Sequence, residues 1–177
     1  MKTNRFSEGA GRVALVGVLD ALALAVLYLS ALSPVGQLGI VALAGLMPVA
    51  AVVSGGFPAG VFCYATTGVL ALILVPNKGN AALFLLFFGA YPLVKYLNEH
   101  IKKRPIEWLC KLAFFNGTLS VAWFALRSVL LAGLPEFFGQ VWVLYLAGNL
   151  VFIIYDLGLS KLIAFYVTRI DKAVRRG

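Results

Sequence analysis

The sequence predicts an all-α, polytopic membrane protein of six transmembrane helices with both termini in the cytoplasm. Three observations predict it. The 177 residues are 62% hydrophobic and only 12% charged, with mean hydropathy +0.94, whereas soluble domains carry about 25% charged residues. Apolar stretches long enough to cross hydrocarbon follow one another, separated by clusters of turn-forming residues. Basic residues gather at alternate breaks between these stretches, the bias that orients membrane proteins.

A crossing takes about 20 apolar residues at about 1.5 Å of rise each. Val13 to Leu32 supplies the first and ends at SPVG. SALS at Ser30 to Ser33 resembles a cleavage site, but the apolar run is longer than the ~7–15 residues of a secretory signal, so it reads as a retained helix. Val35 to Val53 is the second crossing, ended by SGGFP, and Ala59 to Val75 the third, ended by PNKGN. The break between these two is short, and one broken or re-entrant pair is the alternative. Ala81 to Tyr96 forms the apolar body of the fourth, which continues into a charged stretch. Ile106 to Leu131 is the fifth, ended by AGLPE, and Phe137 to Val167 the sixth. Pro48 and Pro92 fall inside the second and fourth, where neighbouring helices re-satisfy the backbone. All of 1–177 reads as one transmembrane domain, with 1–12, 97–105 and 168–177 in the cytoplasm.

Charge sets the orientation. With the N-terminus inside, thirteen of the fifteen basic residues fall on or near the cytoplasmic side; Lys78 lies outside and Arg127 within the fifth helix. The charged stretch YPLVKYLNEHIKKRPIEWLCKLAFFN, Tyr91 to Asn116, thereby becomes an inner loop between two helices that extend into the cytosol. Glu99–Lys103 and Glu107–Lys111 are spaced for i,i+4 pairs there. The net charge of +8 then serves membrane lipid and not nucleic acid.

Polar groups at membrane depth are costly and turn inward. On the fifth helix Asn116, Ser120, Trp123 and Arg127 share one face, and on the sixth Tyr145, Asn149, Asp156 and Ser160 do. Counting the rise per residue divides them into two layers. Trp123, Arg127, Tyr145 and Asn149 fall in the outer half and line a candidate ligand pocket. There Arg127 either offers a bidentate donor to a carboxylate or phosphate, or snorkels to the outer headgroups. Asp20, Lys95, Lys111 and Asp156 fall in the cytoplasmic third, where Asp–Lys pairing would neutralise them. A proton relay through Asp20 or Asp156 is the other reading. Gly17, Ala21 and Ala25 form a small-residue ridge on the first helix, the kind that lets another helix approach closely.

The six spans, the cytoplasmic ends and the ridge within GVLDALALA, Gly17 to Ala25, together resemble the substrate-binding S component of energy-coupling factor transporters. The resemblance covers nearly the whole chain as architecture. It implies that the ridge docks on a transmembrane coupling subunit, itself joined to two ATPases. It also implies a micronutrient captured from outside in a pocket in the outer half, and a bacterial plasma membrane. No vitamin-specific signature is present, which leaves the ligand open. The chain has no P-loop, zinc-type HExxH, nucleophile elbow or dinucleotide loop. Two distant cysteines make no metal or disulfide pattern. No enzyme, cofactor or metal is expected. A membrane scaffold or assembly protein and a small proton-coupled transporter are the competing classes.

Overall fold

The computed structural model describes the backbone of residues 4–99, 103–130 and 140–174, and the side chains of 10–99, 103–125 and 140–168. Six helical rods follow in order: α1 (Asn4–Leu32), α2 (Gln37–Gly55), α3 (Phe57–Leu74), α4 (Lys78–Asn98), α5 (Arg104–Leu130) and α6 (Val141–Val174). No strand occurs among the described residues. Among the described residues five rods, α1, α2, α3, α4 and α6, are long and apolar enough to cross a membrane, which makes the chain a multi-pass membrane protein. α2 and α3 are each of crossing length, and the second half of α2, Leu46–Gly55, packs against α3.

The breaks lie where backbone chemistry requires them. Gly56 alone joins α2 to α3, with φ of +85°, a conformation open to glycine and not to side chains with a Cβ. Pro48 and Pro92 each sit near the start of a new helical piece, where a missing N–H costs least. α2 turns at Gly45 and resumes at Leu46, two residues before Pro48. α4 is α-helical over Lys78–Leu83, π-helical over Phe84–Phe88 and α-helical again from Tyr91, immediately before Pro92. The π turn closes with the Gly89 amide donating to the Phe84 carbonyl at 2.8 Å. It also frees the Leu85 carbonyl, which accepts from the Tyr64 hydroxyl of α3 at 2.8 Å.

The chain divides into two units, Met1–Glu107 and Trp108–Gly177. In the first, α1 buries Val16, Leu19, Asp20, Ala23, Leu27 and Ser30 along one face and leaves Val13, Val18, Leu22 and Leu29 exposed on the other. A helix that is apolar all round has lipid on its outer face. Two apolar clusters bracket this unit. One joins Val16 and Leu19 to Ala51 and Cys63. The other joins Leu27 to Val41, Ala44, Ala71, Val75, Ala81 and Phe84. Gly45 of α2 fits against the Phe88 carbonyl of α4, so closely that an added Cβ would collide with that oxygen. At one end, Asn77 caps α4 by accepting from the amides of Gly79 and Asn80, and Lys78 Nζ donates to the carbonyls of Ile73 and Val75.

The second unit is the antiparallel hairpin of α5 and α6. Phe115 and Phe152 stack at 4.6 Å between ring centroids, and Gly148 admits Leu119 and Phe115 to the α6 backbone.

Candidate functional site

The polar stripes of α5 and α6 face each other and bond rung by rung. Asn116 and Asn149 form a reciprocal amide pair in which each Nδ2 donates to the other's Oδ1 at 3.0 Å. The second Nδ2 proton of each goes to its own helix, to the Leu112 and Tyr145 carbonyls, both at 2.8 Å. Each amide thus spends both protons. One turn along α5, the Ser120 hydroxyl donates to the Asn116 carbonyl at 2.8 Å. Its single proton being used there, the Tyr145 hydroxyl donates to Ser120 Oγ across 2.6 Å. In the other direction, Lys111 Nζ donates to Asp156 Oδ2 at 3.4 Å, both residues 2% exposed. The Trp108 ring also faces that ammonium, 5.5 Å from its centroid. Ser160 turns back to the Asp156 carbonyl at 2.9 Å. From Lys111 to Ser120 the seam runs about 14 Å along α5 at 1.5 Å per residue, roughly half the hydrocarbon thickness.

The residues expected at a ligand pocket are therefore distributed as follows. Tyr145 and Asn149 lie in the seam, bonded to α5. Trp123 is half-buried one turn beyond Ser120 on the same helix. The side chain of Arg127 lies outside the described residues.

Among the four charges expected to neutralise one another, Lys111 meets Asp156 and the other two do not meet. Lys95 is 1% exposed, with its ammonium 3.1 Å from Glu99 Oε1, one turn on along α4 and reaching toward solvent. Glu99 was expected to pair forward with Lys103. α4 ends at Asn98, so the two residues share no helix, and Glu99 meets Lys95 instead. Asp20 meets no lysine among the described residues. Its carboxylate accepts from two adjacent hydroxyls of α3, Thr67 Oγ1 to Oδ1 at 2.8 Å and Thr66 Oγ1 to Oδ2 at 2.5 Å, and the Cys63 thiol lies beside it. Asp20 lies within α1's apolar stretch Ala10–Leu32.

Sequence reasoning passed over Thr66, Thr67, Phe115, Gly148 and Phe152. The adjacent threonines were the legible signal, since they are the only hydroxyl pair inside an otherwise apolar span. A second polar contact sits between α1 and α4, where Asn80 Nδ2 donates to Ser30 Oγ at 3.0 Å and Ser30 donates to the Leu27 carbonyl at 2.6 Å. Asn80 Oδ1 is buried with no partner.

The small-residue ridge of α1 lies on the side away from this packing. Gly17, Ala21 and Ala25 are all exposed, and a Cβ placed on Gly17 would meet nothing within 4 Å. No group of three or more His, Cys, Asp or Glu able to hold a metal ion occurs among the described residues.

A scan against protein-family models and searches of curated proteins and of solved structures find no match to the chain.

Proposed function

We propose that the chain is the substrate-binding membrane subunit of an uptake transporter of the energy-coupling factor type, capturing a small micronutrient from outside and drawing energy from separate coupling and ATPase subunits. The observation that carries this reading is the open face of α1. A ridge of Gly17, Ala21 and Ala25, with no neighbour over Gly17, is shaped for close approach by a helix of another membrane protein. Both termini are cytoplasmic in this reading, in the bacterial plasma membrane, as the thirteen clustered basic residues require. Anionic lipid at that surface adds about 1 kcal/mol for each basic residue near it. Trp123, Arg127, Tyr145 and Asn149 supply the ligand's contacts. The bonds from Ser120 and Asn116 hold two of these four in place before a ligand arrives.

The test is co-expression with a coupling membrane subunit and its two ATPases, followed by purification on this chain. The partners are expected to co-purify, and Gly17→Leu with Ala21→Leu to reduce their recovery at least tenfold. Full recovery with both substitutions removes the ridge from the proposal. Thermal-shift screening of the purified chain against vitamins and their precursors then seeks the ligand, with Arg127→Ala expected to abolish the shift.

One observation favours a second reading. The α5–α6 seam satisfies its own polar groups, which suits a membrane scaffold or assembly protein whose basic inner surface is the docking site. Co-purification with a biosynthetic or division complex, and not with ATPases, would select it.

A further inference from the structure

We propose that Asn80 Oδ1 is the anchoring acceptor of a buried site for the N–H or O–H of one small neutral molecule. The site lies between α1 and α4, at the end of the first unit where α1 and α3 finish and α4 begins. It uses none of the residues assigned to a ligand above, and the inference is independent of the transport reading.

The proton count around Asn80 fixes what the site takes. Ser30 Oγ lies 2.6 Å from the Leu27 carbonyl oxygen, an acceptor, so its single proton goes there. Toward Asn80, 3.0 Å away, Ser30 Oγ can then only accept, and the amide must present Nδ2 to it. Turning the amide over would set Oδ1 against an oxygen with no proton to give. Oδ1 is thereby held away from Ser30, buried and with no partner among the described residues. Asn80 is 1% exposed and Ser30 0%, so bulk solvent does not reach that carbonyl. A buried acceptor without a donor is costly and rare.

Charge decides the class of donor. Between Asp20 and Lys95 the chain has one charged residue, Lys78. Its ammonium is committed to the end of α3, donating to the Ile73 and Val75 carbonyls at 3.1 and 2.9 Å. A cation at Asn80 would find no carboxylate in this stretch of chain, and an anion has nothing to gain from an amide oxygen. A neutral donor satisfies both conditions.

The end of the unit around the site is polar, and its interior side is not. Asn77 Nδ2 donates to Gln37 Oε1 at 3.3 Å, and Gln37 Nε2 to the Ser33 carbonyl at 3.0 Å. Both side chains are half-buried, so a polar layer ties together the ends of α1, α2 and α4. At 3.3 Å the Asn77–Gln37 bond is longer than most and is readily exchanged for one to an entering molecule. Inward, Ala81 and Phe84 join Leu27 and Val41 in a buried apolar cluster. One oriented acceptor beside hydrocarbon suits a molecule with few polar atoms, either water or the amide group of a small solute.

The test is solid-state nuclear magnetic resonance on the full chain in lipid bilayers, with asparagine and alanine labelled in carbon and nitrogen. Asn80–Ala81 is the single Asn–Ala pair in the sequence, so the side-chain carbonyl carbon of Asn80 is identified without a variant. Polarisation from water protons is expected to reach that carbon at least threefold faster than the methyl of Ala81, which is 0% exposed. Acetamide then separates the two sources. A shift of the Asn80 carbon on adding acetamide assigns the site to solutes carrying an amide, and fast transfer with no shift assigns it to a resident water. Transfer no faster than to Ala81, together with no response to acetamide, overturns the proposal.

Discussion

The reciprocal amide pair of Asn116 and Asn149 makes the most discriminating prediction. Replacing Asn149 with Leu removes both cross-helix bonds, each 3.0 Å. It also leaves Asn116 Oδ1 and one Nδ2 proton facing an apolar side chain, while the other proton stays with the Leu112 carbonyl. Interhelical polar contacts in membranes average about 0.6 kcal/mol and reach about 1.7, so two bonds contribute about 1.2 kcal/mol. The stranded amide adds about 1 kcal/mol or more. Each single Leu variant is therefore expected to lose about 2–3 kcal/mol. The double variant loses the same two bonds but leaves nothing stranded, so it is expected to lose about 1.2 kcal/mol, less than either single, a coupling of about 3 kcal/mol. Trp108, Trp123 and Trp142, the three tryptophans of the chain, all lie in this hairpin. Their fluorescence during detergent-induced unfolding reads the unit directly. Additivity of the two single losses to within about 0.3–0.5 kcal/mol would refute the reciprocal pair.

Other variants probe other parts of the structure. Lys111→Met alone strips the partner from Asp156 at a site where both are buried, and is expected to destabilise by about 3–5 kcal/mol; adding Asp156→Leu recovers much of that loss, read in the same unfolding assay. Gly45→Ala drives a Cβ toward the Phe88 carbonyl, whereas Gly17→Ala meets open space; a drop of about 1–3 kcal/mol for the first and less than about 0.5 for the second is expected in thermal unfolding. Tyr64→Phe gives up the bond to the carbonyl freed by the π turn and is expected to cost about 0.5–1.5 kcal/mol, with faster amide exchange over Phe84–Phe88. Reporter fusions at the two termini are expected to be active only on the cytoplasmic side, and one at Lys78 only outside; any other pattern reverses the orientation.

Hydropathy and punctuation are local properties, so the chain order alone located the rods. Val13–Leu32 and Ala59–Val75 were read within a few residues of α1's described span and of α3, because ~20 apolar residues have few other uses. The interruptions at Pro48 and Pro92 were visible, but not the π turn over Phe84–Phe88, since its extra residue depends on Tyr64 claiming the Leu85 carbonyl from another helix. The facing of the α5 and α6 stripes followed from helical period and the cost of polar groups in lipid. Their partnering did not: that Asn116 meets Asn149 and Ser120 meets Tyr145 is fixed by the antiparallel register, which Gly148 and the stacked Phe115 and Phe152 set. Asp20 makes the same point most sharply. Sequence placed a charge in need of neutralising and offered lysines; packing placed α3 against it, so hydroxyls of Thr66 and Thr67 answer instead. A single chain encodes which groups hydrocarbon cannot tolerate unpaired. Only the rotation and stagger of neighbouring helices decide which groups pair with them, because those depend on side chains far apart in the sequence.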